Sequence, residues 1–267
     1  MDFLSIVNPW NAPLYYHETL TSTMDESRAR AARGAPHGTV VAADYQETGR
    51  GRAGRPWNAE RGKNLFFTVL LRYPDISSFP PALTLRTGLA VSLAIEDYAP
   101  LLSGAVLVKW PNDIMIDSRK AAGILTETDG KAVAIGIGVN VAQAAFPGDL
   151  GAKAGSILQA VQARGGPDLA ADRAALLERI LARLHRELSS AEPWRGSLEE
   201  RLYLKGKPVR FIAGGADSRR AVDGVLAGIG AGGELLMVPA GGTAPYAYVT
   251  GELQVYYDNP GADSRYR

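Results

Sequence analysis

The chain has no cysteine, only three histidines, and almost no net charge: 29 Lys+Arg stand against 28 Asp+Glu in 267 residues. Without cysteine there is no disulfide, no Cys-ligated zinc, no iron–sulfur cluster and no thiol nucleophile. His17, His37 and His185 lie far apart and fall into no H-x-x-x-H or H-x-E pattern, so they support neither a metal site nor a histidine-centred triad. A net charge of +1 lacks the basic excess that phosphate-dominated nucleic-acid binding needs, so DNA is not an expected partner. Long apolar runs are missing too. The most continuous one, 132–142, is interrupted by Gly136, Gly138 and Asn140 and is far too short to span a bilayer. Residues 1–10 lack a basic start and reach Pro9 before an apolar stretch builds up. The expectation is a soluble, cytoplasmic protein with no membrane partner.

What is present is apolar residue sufficient for a large core, 46%, spread unevenly. The composition shifts near Lys205. The 64 residues 204–267 hold 12 of the 30 glycines and show no helical period. Short strands are expected there at 208–212, 220–229, 234–239 and 252–257, with Gly-Gly turns at 214–215, 232–233 and 241–242. This suits a small all-β barrel with a polar tail from Asp258. Two domains are therefore expected, 1–203 and 204–267. In the first, Thr23 is placed to cap a helix, Glu26 to complete a capping box, and Gly34 and Pro36 to end it. Further helices are expected at 82–98, at 169–188 with Asp168 as cap, and at 194–204. Strand-like runs fall at 39–43, 65–72, 105–109, 114–116, 121–128 and 132–141. Strands clustered in mid-chain with helices around them predict an α+β fold, a mixed β-sheet with flanking helices.

Two segments carry chemistry. In the first, Gly49, Gly51 and Gly54 match G-x-G-x-x-G, but Pro56 and Trp57 follow where a dinucleotide fold needs a helix. The kinase and P-loop patterns fail as well. What remains is Arg50, Arg52 and Arg55 spaced by glycines, in a 15-residue stretch, 49–63, with five basic residues against Glu60 alone. Glycine lets backbone approach a ligand, and guanidinium grips phosphate or carboxylate in bidentate fashion. Such a loop should repel itself when empty and become ordered around an anion. The same composition also suits a solvated surface loop. In the second segment, Lys109 ends an apolar strand and is followed by Trp110, Pro111, Asn112 and Asp113. A pinned ammonium suits a carboxylate or phosphate. Asn112 and Asp113 also suit simple turn capping. Gly123, Gly136 and Gly138 lie inside strands, where glycine marks either a ligand against the backbone or close packing.

Taken together, Ser22-Thr23, the 49–57 stretch, Lys109-Trp110-Pro111-Asn112-Asp113, Gly123-Ile124-Leu125-Thr126-Glu127 and Gly136-Ile137-Gly138-Val139-Asn140 resemble the bacterial biotin protein ligases, also called biotin–[acetyl-CoA-carboxylase] ligases, in order and spacing. The resemblance runs over about 15–257. It implies a fold like that of class II aminoacyl-tRNA synthetases and biotin/lipoate ligases, with a small C-terminal SH3-like barrel that helps close the nucleotide site or dock the carrier. It implies biotin and MgATP as substrates, biotinyl-5′-AMP as intermediate, and a lysine of a biotin carboxyl carrier protein, the biotinyl domain of acetyl-CoA carboxylase, as acceptor. By the same resemblance Lys109 and Arg52 would be catalytic. Ser22, Thr23, Gln46, Gly49, Arg50, Gly51, Arg52, Lys109, Gly123, Gly136 and Gly138 would bind biotin. Arg52, Arg55, Trp57, Lys109, Asn112 and Asn140 would bind ATP and the adenylate. No ligand for Mg2+ is singled out, and a homodimer is possible on this basis. Many members have Asn where this chain has Met24, which cannot replace an amide hydrogen bond. Where the C-terminal motif usually reads Gly-Gly-Glu, this chain has Thr250-Gly251-Glu252.

The 21 residues before Ser22 are too few for a helix-turn-helix domain, so the monofunctional type is expected. Lipoate–protein ligation, on the same superfamily fold, is the enzyme alternative. The related octanoyl transferase uses a cysteine that this chain lacks. A non-enzymatic biotin- or nucleotide-binding regulator is the alternative outside enzymes, and retention of Lys109 and the loop arginines argues against it.

Overall fold

Strict alternation builds the first sheet. In the computed structural model, which describes residues 3–167, 172–190, 192–214 and 220–254, β3 (Asn64–Arg72) is buried at every residue but its last. Both of its faces must therefore be covered. Its odd-numbered side chains Leu65, Phe67, Val69 and Leu71 enter the main core with Val133, Ile135, Ile137 and Val139 of β7 (Ala132–Asn140). Its even-numbered side chains point to the other face. There, Phe66 sits opposite Gly138 and Thr68 opposite Gly136. One face of the sheet is filled and the other has room above it.

Seven strands run in the order β1-β2-β3-β7-β6-β5-β4. The others are β1 (Leu14–Leu20), β2 (Thr39–Gln46), β4 (Val106–Lys109), β5 (Asp113–Ile116) and β6 (Arg119–Thr128). Only β1 and β2 pair in parallel. The filled face is covered by α2 (Leu83–Tyr98) and α5 (Arg173–Ser189), which pack on each other. Leu85, Leu89 and Ile95 of α2 meet Leu177, Ile180, Leu181 and Leu184 of α5 in the core. A buried Arg86–Glu187 pair at 2.9 Å joins the two helices. On the roomier face lies α1 (Thr23–Ala32), against β2, β3 and β7.

Several local expectations change. The cap of α1 is Ser22, whose side chain accepts from the Met24 N–H at 3.2 Å. Thr23 is the first helical residue because its hydroxyl is already used by Gln46 and Thr68. Glu26 forms no capping box but an ion pair with Arg30, one helical turn on. The cap of α5 is Asp172, accepting from the Ala175 N–H at 2.9 Å. The expected cap Asp168 and residues 169–171 fall outside the described residues. α6 (Trp194–Glu200) stops short of the expected 204 because the next residues are taken by the sheet. Val108 N–H donates to Arg201 C=O (2.8 Å), and Tyr203 N–H donates to Val108 C=O (2.9 Å), closing the outer edge of β4. β1, α3 (Leu150–Lys153) and α4 (Ile157–Gln162) are elements beyond those expected.

The second sheet comprises β8 (Pro208–Ala213), β9 (Arg220–Ile229), β10 (Leu235–Pro239), β11 (Tyr246–Tyr248) and β12 (Gly251–Gln254). It is antiparallel, in the order β11-β10-β9-β8-β12, as a small SH3-like unit requires. Among the described residues its outer strands do not pair to close a barrel. The expected extension of the last strand to 257, Gly215 of the first Gly-Gly turn and the tail from Asp258 lie outside the described residues. Trp110 joins the sheets: its indole N–H donates to Gly233 C=O at 3.0 Å and its ring lies 5.7 Å from that of Phe211. Among the described residues no helix is long and apolar enough to cross a membrane.

Candidate active site

The roomy face of the first sheet is the floor of a cavity of about 830 Å³. Gly123 of β6 lies opposite Gly138 of β7, and Gly136 is two residues away on the same face. A Cβ at Gly123 would stand 2.8 Å from the Trp57 ring, one at Gly138 3.2 Å from it, and one at Gly136 2.6 Å from Met24 Sδ. The close approach that the strand glycines signal is thus made here by Trp57 and Met24, two side chains of the cavity's own walls.

One end of the cavity is polar and tightly wired. Gln46, the last residue of β2, accepts on Oε1 from Thr23 N–H (2.7 Å) and Thr23 Oγ1 (3.0 Å). Thr68 Oγ1 in turn donates to Thr23 Oγ1 at 2.9 Å. Thr23 has spent its proton on Gln46, so the Gln46 carbonyl is committed and its amide N–H2 is the group left to face a ligand.

The 49–57 stretch forms a narrow hairpin over the cavity. Gly51 N–H donates to Arg55 C=O (2.8 Å), and Trp57 N–H donates to Gly49 C=O (2.9 Å). The tip turns through Ala53 (φ 54°) and Gly54 (φ 69°), both left-handed. The expected self-repulsion of its arginines is offset by acids distant in sequence. Arg50 makes a bidentate pair with Asp25 at 2.8 and 2.8 Å, and Arg55 one with Glu252 at 2.9 and 2.7 Å. The Arg50 hydrogen bond holds the Asp25 carboxyl below the usual carboxylate range. Arg52, at the tip, has among the described residues only the Asn112 side-chain oxygen as a side-chain partner, 3.2 Å away.

The opposite wall is the lysine turn. Lys109 ends β4 and the Trp110–Pro111 peptide is cis. Asn112 ties the turn to β6 through two bonds with the Ile124 backbone, both 2.9 Å. Asp113 pairs with Lys120 at 2.6 Å, and the Lys120 ammonium stands 5.3 Å from the Trp57 ring centroid. Lys109 itself has neither an ion pair nor a side-chain hydrogen bond among the described residues. Burial pushes its pKa down, while the fields of Asp113 and Glu252 pull it back up. Asn140 is buried. Its amide donates to Gly155 C=O (3.0 Å) and Lys120 C=O (3.3 Å), and its Oδ1 has no partner among the described residues.

All the residues singled out from sequence line this cavity except Gly49, which is buried under the hairpin and anchors it through its carbonyl. Asp113, Lys120, Phe146, Leu150, Lys153 and Glu252 line it as well without having been singled out as ligand-binding. Asp113 and Glu252 stood inside recognised motifs. Phe146, Leu150 and Lys153 come from a loop and a single-turn helix with no local pattern. Among the described residues no three His, Cys, Asp or Glu side chains gather as a metal site, and the cavity acids Asp113 and Glu252 each already hold a cation. The residues therefore do not fit an ion held by the protein alone.

Fold and cavity define an α+β protein with one large cavity, lined by Arg50, Arg52, Arg55, Lys109, Lys120 and Lys153, between its first sheet and the arginine hairpin. The model of the biotin/lipoate A/B protein ligase family matches residues 16–141. The biotin–[acetyl-CoA-carboxylase] ligase of Paracoccus denitrificans is 32% identical over 235 residues, 83% of this chain and 93% of that protein. The bifunctional ligase/repressor BirA of Bacillus subtilis is 39% identical over 176 residues, 63% of this chain and 51% of that protein. The chain thus spans about half the length of the first curated relatives it matches. Among solved structures, the biotin protein ligase from Aquifex aeolicus in complex with biotin and ATP is similar at a TM-score of 0.73 and 26% identity, over 90% of this chain and 97% of that one. The chain belongs to the biotin/lipoate A/B protein ligase family.

Proposed function

We propose that this chain is a biotin protein ligase that joins biotin to a specific lysine of a biotin carboxyl carrier protein by way of biotinyl-5′-AMP. The observation that carries the reading is Lys109, a half-buried ammonium with no counter-ion among the described residues, in a cavity beneath the arginine hairpin. A partly buried cation that lacks an ion pair favours an anionic ligand, because the ligand supplies a partner for the desolvated charge.

In the first step a carboxylate oxygen of biotin attacks the α-phosphorus of ATP and pyrophosphate leaves. In the second the carrier's neutral lysine amine attacks the acyl carbon, AMP leaves, and the amine loses a proton to solvent. Both steps gather negative charge at the α-phosphate. Lys109, on the lysine turn, and Arg52, at the hairpin tip, would offset it. Gln46, fixed by Thr23 and flanked by Ser22, offers its amide to the ureido end. Gly123, Gly136 and Gly138 admit the ligand once Trp57 and Met24 yield. Arg50, Gly51 and Gly49 shape the cover, and Trp57, Asn112, Arg55 and Asn140 serve the nucleotide. Magnesium enters with the phosphates of ATP, as part of that substrate. Residues 1–203 would be the catalytic unit and 204–267 the smaller unit that closes it.

The test is ATP–pyrophosphate exchange by the purified chain with biotin and lipoate side by side. Exchange that depends on biotin is expected. Exchange supported by lipoate and not by biotin overturns the assignment.

A further inference from the structure

Glu252 belongs to β12, in the second sheet, yet it lines the cavity of the first and takes both arms of the Arg55 guanidinium. Arg55 closes the hairpin: its carbonyl accepts from Gly51 N–H (2.8 Å) and its N–H donates to Arg52 C=O (3.3 Å). A carboxylate of one sheet therefore grips the cover of the other sheet's cavity.

The grip has a firm base. Gly251, beside Glu252, sits at φ +150° with the Phe211 ring so close that a Cβ would be 2.2 Å from it. Phe211 packs on Trp110, and Trp110 follows Lys109. The second sheet thus touches both the hairpin and the lysine turn, the two walls whose spacing sets the cavity. At the hairpin tip, Arg52 reaches across to Asn112 of that turn.

We propose that Glu252 is a positioning residue. Through Arg55 it sets the hairpin in its closed place, so that Arg52 stays above the lysine turn where the adenylate would lie. This rests on the proposed function. The two side chains are 59% and 44% exposed, so the pair adds little to global stability and acts locally.

The test uses the full chain with Glu252→Gln, Glu252→Asp and the reversed pair Arg55→Glu with Glu252→Arg. Without ligand, trypsin should cut after Arg50 and Arg52 about fivefold faster in Glu252→Gln, the scale of one exposed bidentate pair acting on a local opening. Glu252→Asp and the reversed pair should restore much of the protection, and Tm should move by less than about 2 °C in Glu252→Gln. In exchange assays Glu252→Gln should raise KM for ATP severalfold with a smaller change in kcat. Unchanged protection in Glu252→Gln overturns the proposal. So does tighter ATP binding by it, which would make Glu252 a competitor of phosphate for Arg55. The digestion needs no substrate, so a wild-type chain inactive in exchange would remove the proposed function and leave the role of Glu252 decided on its own terms.

Discussion

Lys109 is a cation that has no ion pair among the described residues, and its burial governs its titration. Burial lowers its pKa, so the ammonium is lost at a lower pH than in a free lysine. Between the folded value and the ordinary value near 10.5 the unfolded chain holds more protons than the folded one, and stability rises with pH across that window. The cost of the buried charge is fully present below the window and relieved within it. Anion affinity runs the other way, full where the ammonium is held and falling as it discharges. Denaturation midpoints with and without biotin plus ATP, taken from pH 7 upward, should therefore converge, and in Lys109→Ala the ligand should give little shift at any pH. Lys109→Ala should also slow both half-reactions by roughly 10²-fold or more, as loss of one electrostatic stabiliser does. Normal transfer from supplied biotinyl-AMP would contradict its part in the second step. Arg52→Gly should let the adenylate escape, seen as biotin on lysines of unrelated proteins in the mixture. At this scale the sequence was informative wherever a side chain's neighbours in the chain restrain it: Lys109 ends a strand before Trp110 and Pro111. The anion partners of the arginines were not visible, because Asp25 and Glu252 reach them only through the fold.

At the scale of elements, long periodic segments were legible and short or edge ones were not. α2 and α5 follow the hydrophobic period that one buried face enforces, and β2, β3 and β7 are the near-continuous apolar runs of strands covered on both faces. β1 is an edge strand with no buried residue, and its partner lies in parallel across α1, so no hairpin signal marks it. α3 and β11 are four and three residues long. α4 did carry a signal: Ser156 and Gln159 form a complete capping box. The start of α1 was misplaced by one residue because Ser22 and Thr23 both suit a cap, and only tertiary contacts decide between them. Ser22→Ala should cost about 1 kcal/mol of folding stability in urea denaturation, the usual worth of such a cap. Thr23→Ala should instead weaken biotin binding more than stability, since Thr23 holds the Gln46 carbonyl. Equal losses in both properties for the two variants would contradict this division.

At the scale of the molecule, the composition break near Lys205 marks the second sheet, while its role at the cavity shows only in contacts distant in sequence. Trp110 is one of these. Trp110→Phe keeps a ring against Phe211 and loses the bond to Gly233, so it should cost roughly 1 kcal/mol by thermal unfolding. Its larger effect should be on KM for biotin and ATP, because the turn bearing Lys109 loses its fastening to the second sheet. A variant with lower Tm and unchanged KM would show that the fastening serves stability alone.

The sealing of β4 by residues 201–203 has a consequence for how the protein behaves in a crowd. A sheet's last strand offers unpaired backbone groups to any extended peptide that meets it, and native proteins hide such strands. Here the strand that carries Lys109 is closed off by the chain's own backbone, at Val108 on both its N–H and its C=O. The segment leading to the second sheet therefore works as a guard strip. Chains shortened to end before residue 201 would present β4 bare, and light scattering on concentrated samples should find them associating through the strand that holds Lys109.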